Sequence, residues 1–122
     1  MDEFLRRTWV QVDLDAIRHN YEEIRRAVNP AAGMMAVVKA DGYGHGAVYV
    51  ARELADCGAD WFAVSNIEEA VELRRAGLPQ PVLILGYTPP QLAGELARHR
   101  ISQTVFSTSY GEALSKGAVE AG

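Results

Sequence analysis

The hydrophobic positions change period several times along the chain, and each change marks an element. From Thr8 to Leu14 they alternate, with Val10, Val12 and Leu14 on one side and Trp9, Gln11 and Asp13 on the other. That period of two predicts a half-buried strand. The period then becomes helical. Ile17, Tyr21, Ile24 and Val28 fall on one face behind Asp15, a candidate N-cap, and Asn29-Pro30 stops the helix.

From Met34 onward short apolar runs alternate with helical ones. Met34 to Ala40 reads as a buried strand, and residues 46–57 as a helix with Ala47, Ala51, Leu54 and Ala55 on one face and Gly58 after it. Trp61 to Ser65 is a second strand. Ser65 to Glu68 is a Ser-x-x-Glu capping box opening a helix with Ile67, Ala70, Val71 and Arg74, which Gly77 and Pro79 end. Pro81 to Gly86 is a third strand, and Thr88-Pro89-Pro90-Gln91 a second capping arrangement with proline at the first helical position. Gln103 to Ser107 is a fourth strand. Ser109 to Glu112 is a third box, leading into a helix that fades toward Gly117.

These are four strand–helix units in an α/β chain, preceded by one strand and one helix. The strands are apolar on both faces, as parallel strands covered by helices are. Two architectures fit: an open doubly wound sheet, or part of a (β/α)8 barrel. A complete barrel takes about 250 residues. The chain has 122 and ends at Ala121-Gly122, so the expectation is a truncated barrel, cut after its fourth helix.

Composition narrows the function. A net charge of −4 points to no nucleic-acid or anionic-membrane partner. Cys57 is the one cysteine, so no internal disulfide forms. Val82-Leu83-Ile84-Leu85 is far too short to span a bilayer. The start, Met1 to Arg7, carries acids early and lacks the apolar core of a signal peptide. A cytoplasmic protein is the default.

The chemistry concentrates where the first βα strand ends, in Lys39-Ala40-Asp41-Gly42-Tyr43-Gly44-His45-Gly46. Barrels and open α/β sheets both place ligands at the C-terminal ends of their strands. A lysine there becomes a nucleophile when desolvation or a neighbouring cation lowers its pKa. Such an amine forms an imine with an aldehyde, and pyridoxal phosphate is the aldehyde most often held this way. Tyr43 can send its hydroxyl to a phosphate oxygen, and a helix starting near Gly46 would offer amides to an anion. The plainer reading is that Lys39 is a solvated charge, Tyr43 a cover and His45 a hydrogen-bonding structural residue. Gly-x-Gly-x-Gly matches neither the dinucleotide fingerprint nor a Walker loop, and no second histidine is near enough in sequence for a metal set.

Residues Ala36 to Gly46 resemble the pyridoxal-phosphate attachment signature of bacterial alanine racemases. Trp9 to Asn20 is similar to that family's opening. Glu69-Ala70, Leu73-Arg74, Gly77 and Pro81 to Gly86 continue in its register, so the resemblance covers nearly the whole chain. It implies the N-terminal portion of a pyridoxal-phosphate-binding barrel domain over residues 1–122, parallel βα repeats making about half of a TIM-type (β/α)8 barrel. In such a protein a β-domain follows the barrel and two copies form a head-to-tail homodimer. It implies pyridoxal 5'-phosphate as cofactor and alanine as substrate, with D-alanine going to peptidoglycan. Lys39 is then the catalytic base on one face of the substrate and the cofactor's attachment point. Tyr43 contacts the phosphate, and Leu85 lines the cofactor pocket.

The resemblance also implies what these residues lack. The second base is a tyrosine of the partner's C-terminal domain, and Tyr21, Tyr43, Tyr49, Tyr87 and Tyr110 offer no match for it. The arginine at the pyridine nitrogen and further phosphate ligands come from later strands. The first Trp9–Leu14 strand pairs with the C-terminal domain. Three readings stay open: part of an alanine racemase (or one acting on serine or more broadly), a non-catalytic cofactor-binding module, and a structural βα unit. An open half-barrel exposes two sheet edges and an apolar face, so the 122-residue polypeptide is expected to self-associate. Light scattering at high concentration checks this: a stable monomer would contradict it.

Overall fold

The computed structural model describes residues 7–122. The acid-bearing start, Met1 to Arg6, lies outside them. Eleven elements follow in order: α1 (Leu14–Ala27), β1 (Met35–Val37), α2 (Lys39–Tyr43), α3 (Ala47–Asp56), β2 (Trp61–Val64), α4 (Ile67–Arg75), β3 (Val82–Ile84), a 3-10 turn (Pro90–Leu92), α5 (Ala93–Arg98), β4 (Ile101–Gln103) and α6 (Thr108–Ala121).

The four strands form one parallel sheet in the order β1-β2-β3-β4. Ala36, Phe62, Val82 and Ile101 lie in one row of register partners, and Val64 and Ile84 pair in another. Phe62, Val64, Val82 and Ile84 are fully buried, forming the core with Leu54, Ala70 and Leu73 of the helices. The alternate residues lie on the opposite face. There Met35 and Val37 are 43% and 39% exposed, and only the small central Ala63 is buried among the described residues of the strands' middle. One face of the sheet is therefore covered by helices and the other is open. Right-handed crossovers between strands in sequential order put every helix on the same side. A doubly wound sheet would reverse its order and cover both faces. The sheet is singly wound, as in half of a barrel, and leaves open the face that a half-barrel is expected to expose.

Several boundaries differ from those the periodicity predicts. No strand forms over Thr8–Leu14 among the described residues. An alternating segment needs a neighbouring strand to satisfy its amides, and no described strand pairs with it. Asp13, not Asp15, caps α1: its carboxylate accepts from the Asp15 amide (2.9 Å) and the Ala16 amide (3.2 Å). The cap of α4 is Asn66, one residue past Ser65, and it accepts from the Glu69 amide at 2.9 Å. The fourth strand ends at Gln103 instead of starting there, because the ladder follows β3's register and β3 ends at Ile84. Ser107, not Ser109, caps α6. That helix runs through Gly117 to Ala121, because a Cβ at Gly117 would lie 2.8 Å from the Ala93 Cβ. Glycine is there for the closeness of the crossing with α5, not to end the helix. Thr88 caps nothing. It is buried, and its hydroxyl donates to the Gln103 side-chain oxygen.

The end of the sheet away from Lys39 is closed by Arg74. Its guanidinium donates to four carbonyls: His99 (2.8 Å), Leu78 (2.8 Å), Gln80 (2.7 Å) and Arg100 (2.9 Å). Burial lowers its pKa, helped by the nearby Arg100 charge, and no carboxylate pairs with it among the described residues. The planar fork ties the loops before β3 and β4 together. Arg74→Ala is expected to cost about 2–4 kcal/mol, since hydrogen bonds to a charged group contribute roughly 1.5–3 kcal/mol and buried carbonyls lose their donors. Arg74→Lys should recover less than half of that, which urea unfolding of the two variants measures.

Candidate active site

Lys39 stands two residues beyond the β1 ladder, which ends at Val37. Val38 still donates its amide to the Ala63 carbonyl (2.9 Å) and is buried, but its ψ of 22° already leaves the extended region. The chain then winds left-handed. Ala40, Asp41, Gly42, Tyr43 and Gly44 have φ of 51°, 53°, 65°, 57° and 89°. The turn closes on itself through the Gly42 amide to the Val38 carbonyl (2.9 Å) and the Gly46 amide to the Asp41 carbonyl (2.8 Å). Three of these residues carry side chains, at about 1–2 kcal/mol each in this region. That total is a sizeable share of the 5–15 kcal/mol that holds an ordinary domain together, roughly. Such strain persists only where the surroundings over-determine it.

Two carboxylates do so. Asp41 accepts from the Ala47 amide at 2.9 Å, capping α3 from inside the turn. The helix end expected to receive an anion thus already holds one of the chain's own. Glu69, at the start of α4, accepts from the Ser65 amide (3.0 Å), the Ser65 hydroxyl (2.6 Å) and the Ala40 amide (3.3 Å). His45 donates from Nδ1 to the Gly42 carbonyl at 3.0 Å, the plainer of its two readings. Gly42 is buried against the start of α3, where a Cβ would lie 3.2 Å from the Ala47 nitrogen.

The three residues singled out from the sequence lie at one end of the sheet. Lys39 follows β1 and is half-buried, and its side chain makes no hydrogen bond or ion pair among the described residues. Tyr43 follows in the turn, 58% exposed. Leu85 follows β3 and is 44% exposed, its amide bonded to the Val64 carbonyl at 2.8 Å. β2 separates the Lys39 and Leu85 strands. Gly86 comes next, where a Cβ would lie 2.5 Å from the Ser65 carbonyl oxygen. The β3 end is braced from behind. Gln103 donates to the Gly86 carbonyl (2.6 Å), and the Tyr110 hydroxyl donates to the Thr88 carbonyl (2.6 Å). Phe106 stacks on Tyr110 at a centroid distance of 4.5 Å.

Glu69, Asp41 and Gln103 are supports that the sequence reading misses. Only Glu69 had a signal, since Asn-x-x-Glu is also a capping box. Cys57, the other nucleophile-bearing residue, is no competitor. It sits at the opposite end of the sheet from Lys39, and burial pushes its thiol above the usual range, away from the thiolate.

A singly wound four-stranded parallel sheet, its first strand followed by a lysine with no partner among the described residues, matches the N-terminal half of a (β/α)8 barrel. Residues 12–122 match the family described as "Alanine racemase, N-terminal domain", and the chain belongs to that family. It is 46% identical over 116 residues to alanine racemase 1 of Caldanaerobacter subterraneus subsp. tengcongensis, which covers 95% of this chain and 30% of that protein. The structure of alanine racemase from Clostridium difficile 630 superposes with a TM-score of 0.89 at 35% identity, over 93% of this chain and 30% of the other. Histidine racemase from Leuconostoc mesenteroides subsp. sake NBRC 102480 superposes at 0.82 with 29% identity, over 89% of this chain and 29% of the other. The chain spans under a third of the length of each of these relatives.

The strain in the turn makes its glycines unequal. Gly42→Ala adds a side chain in the left-handed region and a contact against α3, an expected loss of about 2–4 kcal/mol. Gly44→Ala meets open space and should cost only the conformational part, about 1–2 kcal/mol. Equal losses on urea denaturation would mean that the close approach to α3 is not felt.

Proposed function

We propose that these residues are the N-terminal portion of the barrel domain of an amino-acid racemase that interconverts L-alanine and D-alanine with pyridoxal 5'-phosphate. The observation that carries this reading is the amine of Lys39, held on a strained turn at the ligand-binding end of a parallel sheet with no charge partner among the described residues. The residues fit the cofactor's chemistry. A free primary amine can bond the aldehyde carbon, the exposed Tyr43 hydroxyl can donate to a phosphate oxygen, and Leu85 offers an apolar surface to the ring. When bound, the cofactor supplies an electron sink for the charge left by removal of the α-hydrogen.

The chain's own part is acid–base. Once free, Lys39 Nζ takes the proton from one face of the substrate α-carbon or returns it. A racemase needs a second base on the other face, and the resemblance to alanine racemases implies a tyrosine of the partner's C-terminal domain for it, in a homodimer. It would work in the cytoplasm, providing D-alanine for peptidoglycan. No described helix is long and apolar enough to cross a membrane.

A second reading has one observation behind it. The same half-barrel superposes on a histidine racemase, which supports keeping the alternative of a racemase acting on serine or more broadly.

Added pyridoxal phosphate should give the absorbance band of the lysine-bound cofactor, and borohydride reduction should fix the added mass on Lys39. Lys39→Ala should abolish both. The 122-residue polypeptide should form D-alanine at least about 10²–10⁴-fold more slowly than a full-length relative, the usual worth of one positioned base. Mass on another lysine would overturn the assignment, and turnover near that of the relative would overturn the need for a second base.

A further inference from the structure

Glu69 does more than a capping residue does. In a capping box the carboxylate three residues into a helix returns to the amide of the cap itself. Glu69 instead reaches past Asn66 to both donors of Ser65 at the end of β2, and across to the Ala40 amide at the end of β1. One carboxylate thereby ties together the ends of two neighbouring strands.

The Ala40 amide is a consequential donor. It lies in the peptide plane between Lys39 and Ala40, whose tilt is set by Lys39 ψ and Ala40 φ. Holding the direction of that N–H restrains the two angles together. Ala40 sits at φ 51°, and an alanine side chain has no polar atom with which to favour that region itself. Asparagine or aspartate could do so by local hydrogen bonding. The plane is therefore held from outside, by the Glu69 carboxylate oxygen that accepts from the Ala40 amide at 3.3 Å and from the Ser65 hydroxyl at 2.6 Å. We infer that Glu69 is a positioning residue for Lys39. Its carboxylate holds the Lys39–Ala40 peptide plane and so sets the direction from which the Lys39 amine reaches its reaction partner. The inference rests on the function proposed above for that amine.

The test separates positioning from capping. Asn66→Ala removes the cap of α4 but leaves the Ala40 bond. Glu69→Ala removes both the bond and the link to Ser65. Glu69→Gln keeps a carbonyl oxygen for the Ala40 amide and the Ser65 hydroxyl. In the 122-residue chain, Glu69→Ala should exchange the Ala40 amide proton at least tenfold faster by NMR and bind pyridoxal phosphate at Lys39 about tenfold more weakly. Glu69→Gln should restore both readouts to within threefold. Asn66→Ala should lower the melting temperature yet leave both within twofold of wild type. If Asn66→Ala and Glu69→Ala move the two readouts alike, or Glu69→Ala moves neither, Glu69 is a cap and the inference is wrong. Should Glu69→Ala not fold, Glu69→Asp takes its place. Its carboxylate is one methylene short of Ala40, and the same outcomes decide. Failure of the wild-type chain to load at Lys39 would remove the proposed function, while Ala40 exchange still decides what Glu69 holds.

Discussion

The left-handed turn after Lys39 is the constraint around which the neighbouring elements are arranged. Ala40, Asp41 and Tyr43 would each prefer another conformation. What keeps them there is one distant contact and two nearer ones: Glu69 from α4 on the Ala40 amide, α3 packed against Gly42, and Asp41 seated on the first amide of α3. The dependence runs both ways. Without the turn α3 would lose its cap, and its start could not come so close to the strand end. A flexible glycine loop could deliver a lysine to the same place, but not in one orientation. The strain falls on the residues that follow Lys39, where the surroundings over-determine the backbone.

The sheet divides its labour by end and by face. At the end away from Lys39, Arg74 fastens loop carbonyls with a guanidinium that touches nothing reactive. At the Lys39 end, polar side chains brace the strand termini and leave the amine unengaged. One face carries the helix-covered core of Phe62, Val64, Val82 and Ile84. The other keeps apolar residues at partial exposure, the state of a surface shaped to be closed over. This arrangement fits a barrel interior, where side chains from successive strands fill the middle.

The fold was legible where burial and period agree, and less so where two local patterns competed. The apolar run ending in Lys39 located both β1 and the strand-end lysine, and the repeat of strands and helices gave the α/β class. Capping boxes were legible as a type but not in register. Ser65 with Glu68 and Asn66 with Glu69 are both acceptable pairs, and where the strand ladder ends decides between them. Thr104-Val105-Phe106 is more β-prone than Ile101-Ser102-Gln103, yet pairing with β3 overrides that preference. Handedness after Lys39 was not legible, because alanine and tyrosine carry no left-handed signal. Nor was the reach of Glu69 to Ala40, a contact between residues far apart in the chain. Gly117 was misread as a stop because a glycine needed for a close crossing looks the same in sequence as one needed for a C-cap.

Gly86 sets a distance. With no side chain it lets the backbone leaving β3 pass directly against the Ser65 carbonyl. The same Ser65 is gripped by Glu69, which also holds the residue after Lys39. The ends of β1, β2 and β3 are thus linked in series by one carboxylate and one bare α-carbon. The spacing between the amine on the first strand and the leucine on the third is in this way a gauge of how closely backbones can pass. It is much less a matter of which side chains face the opening.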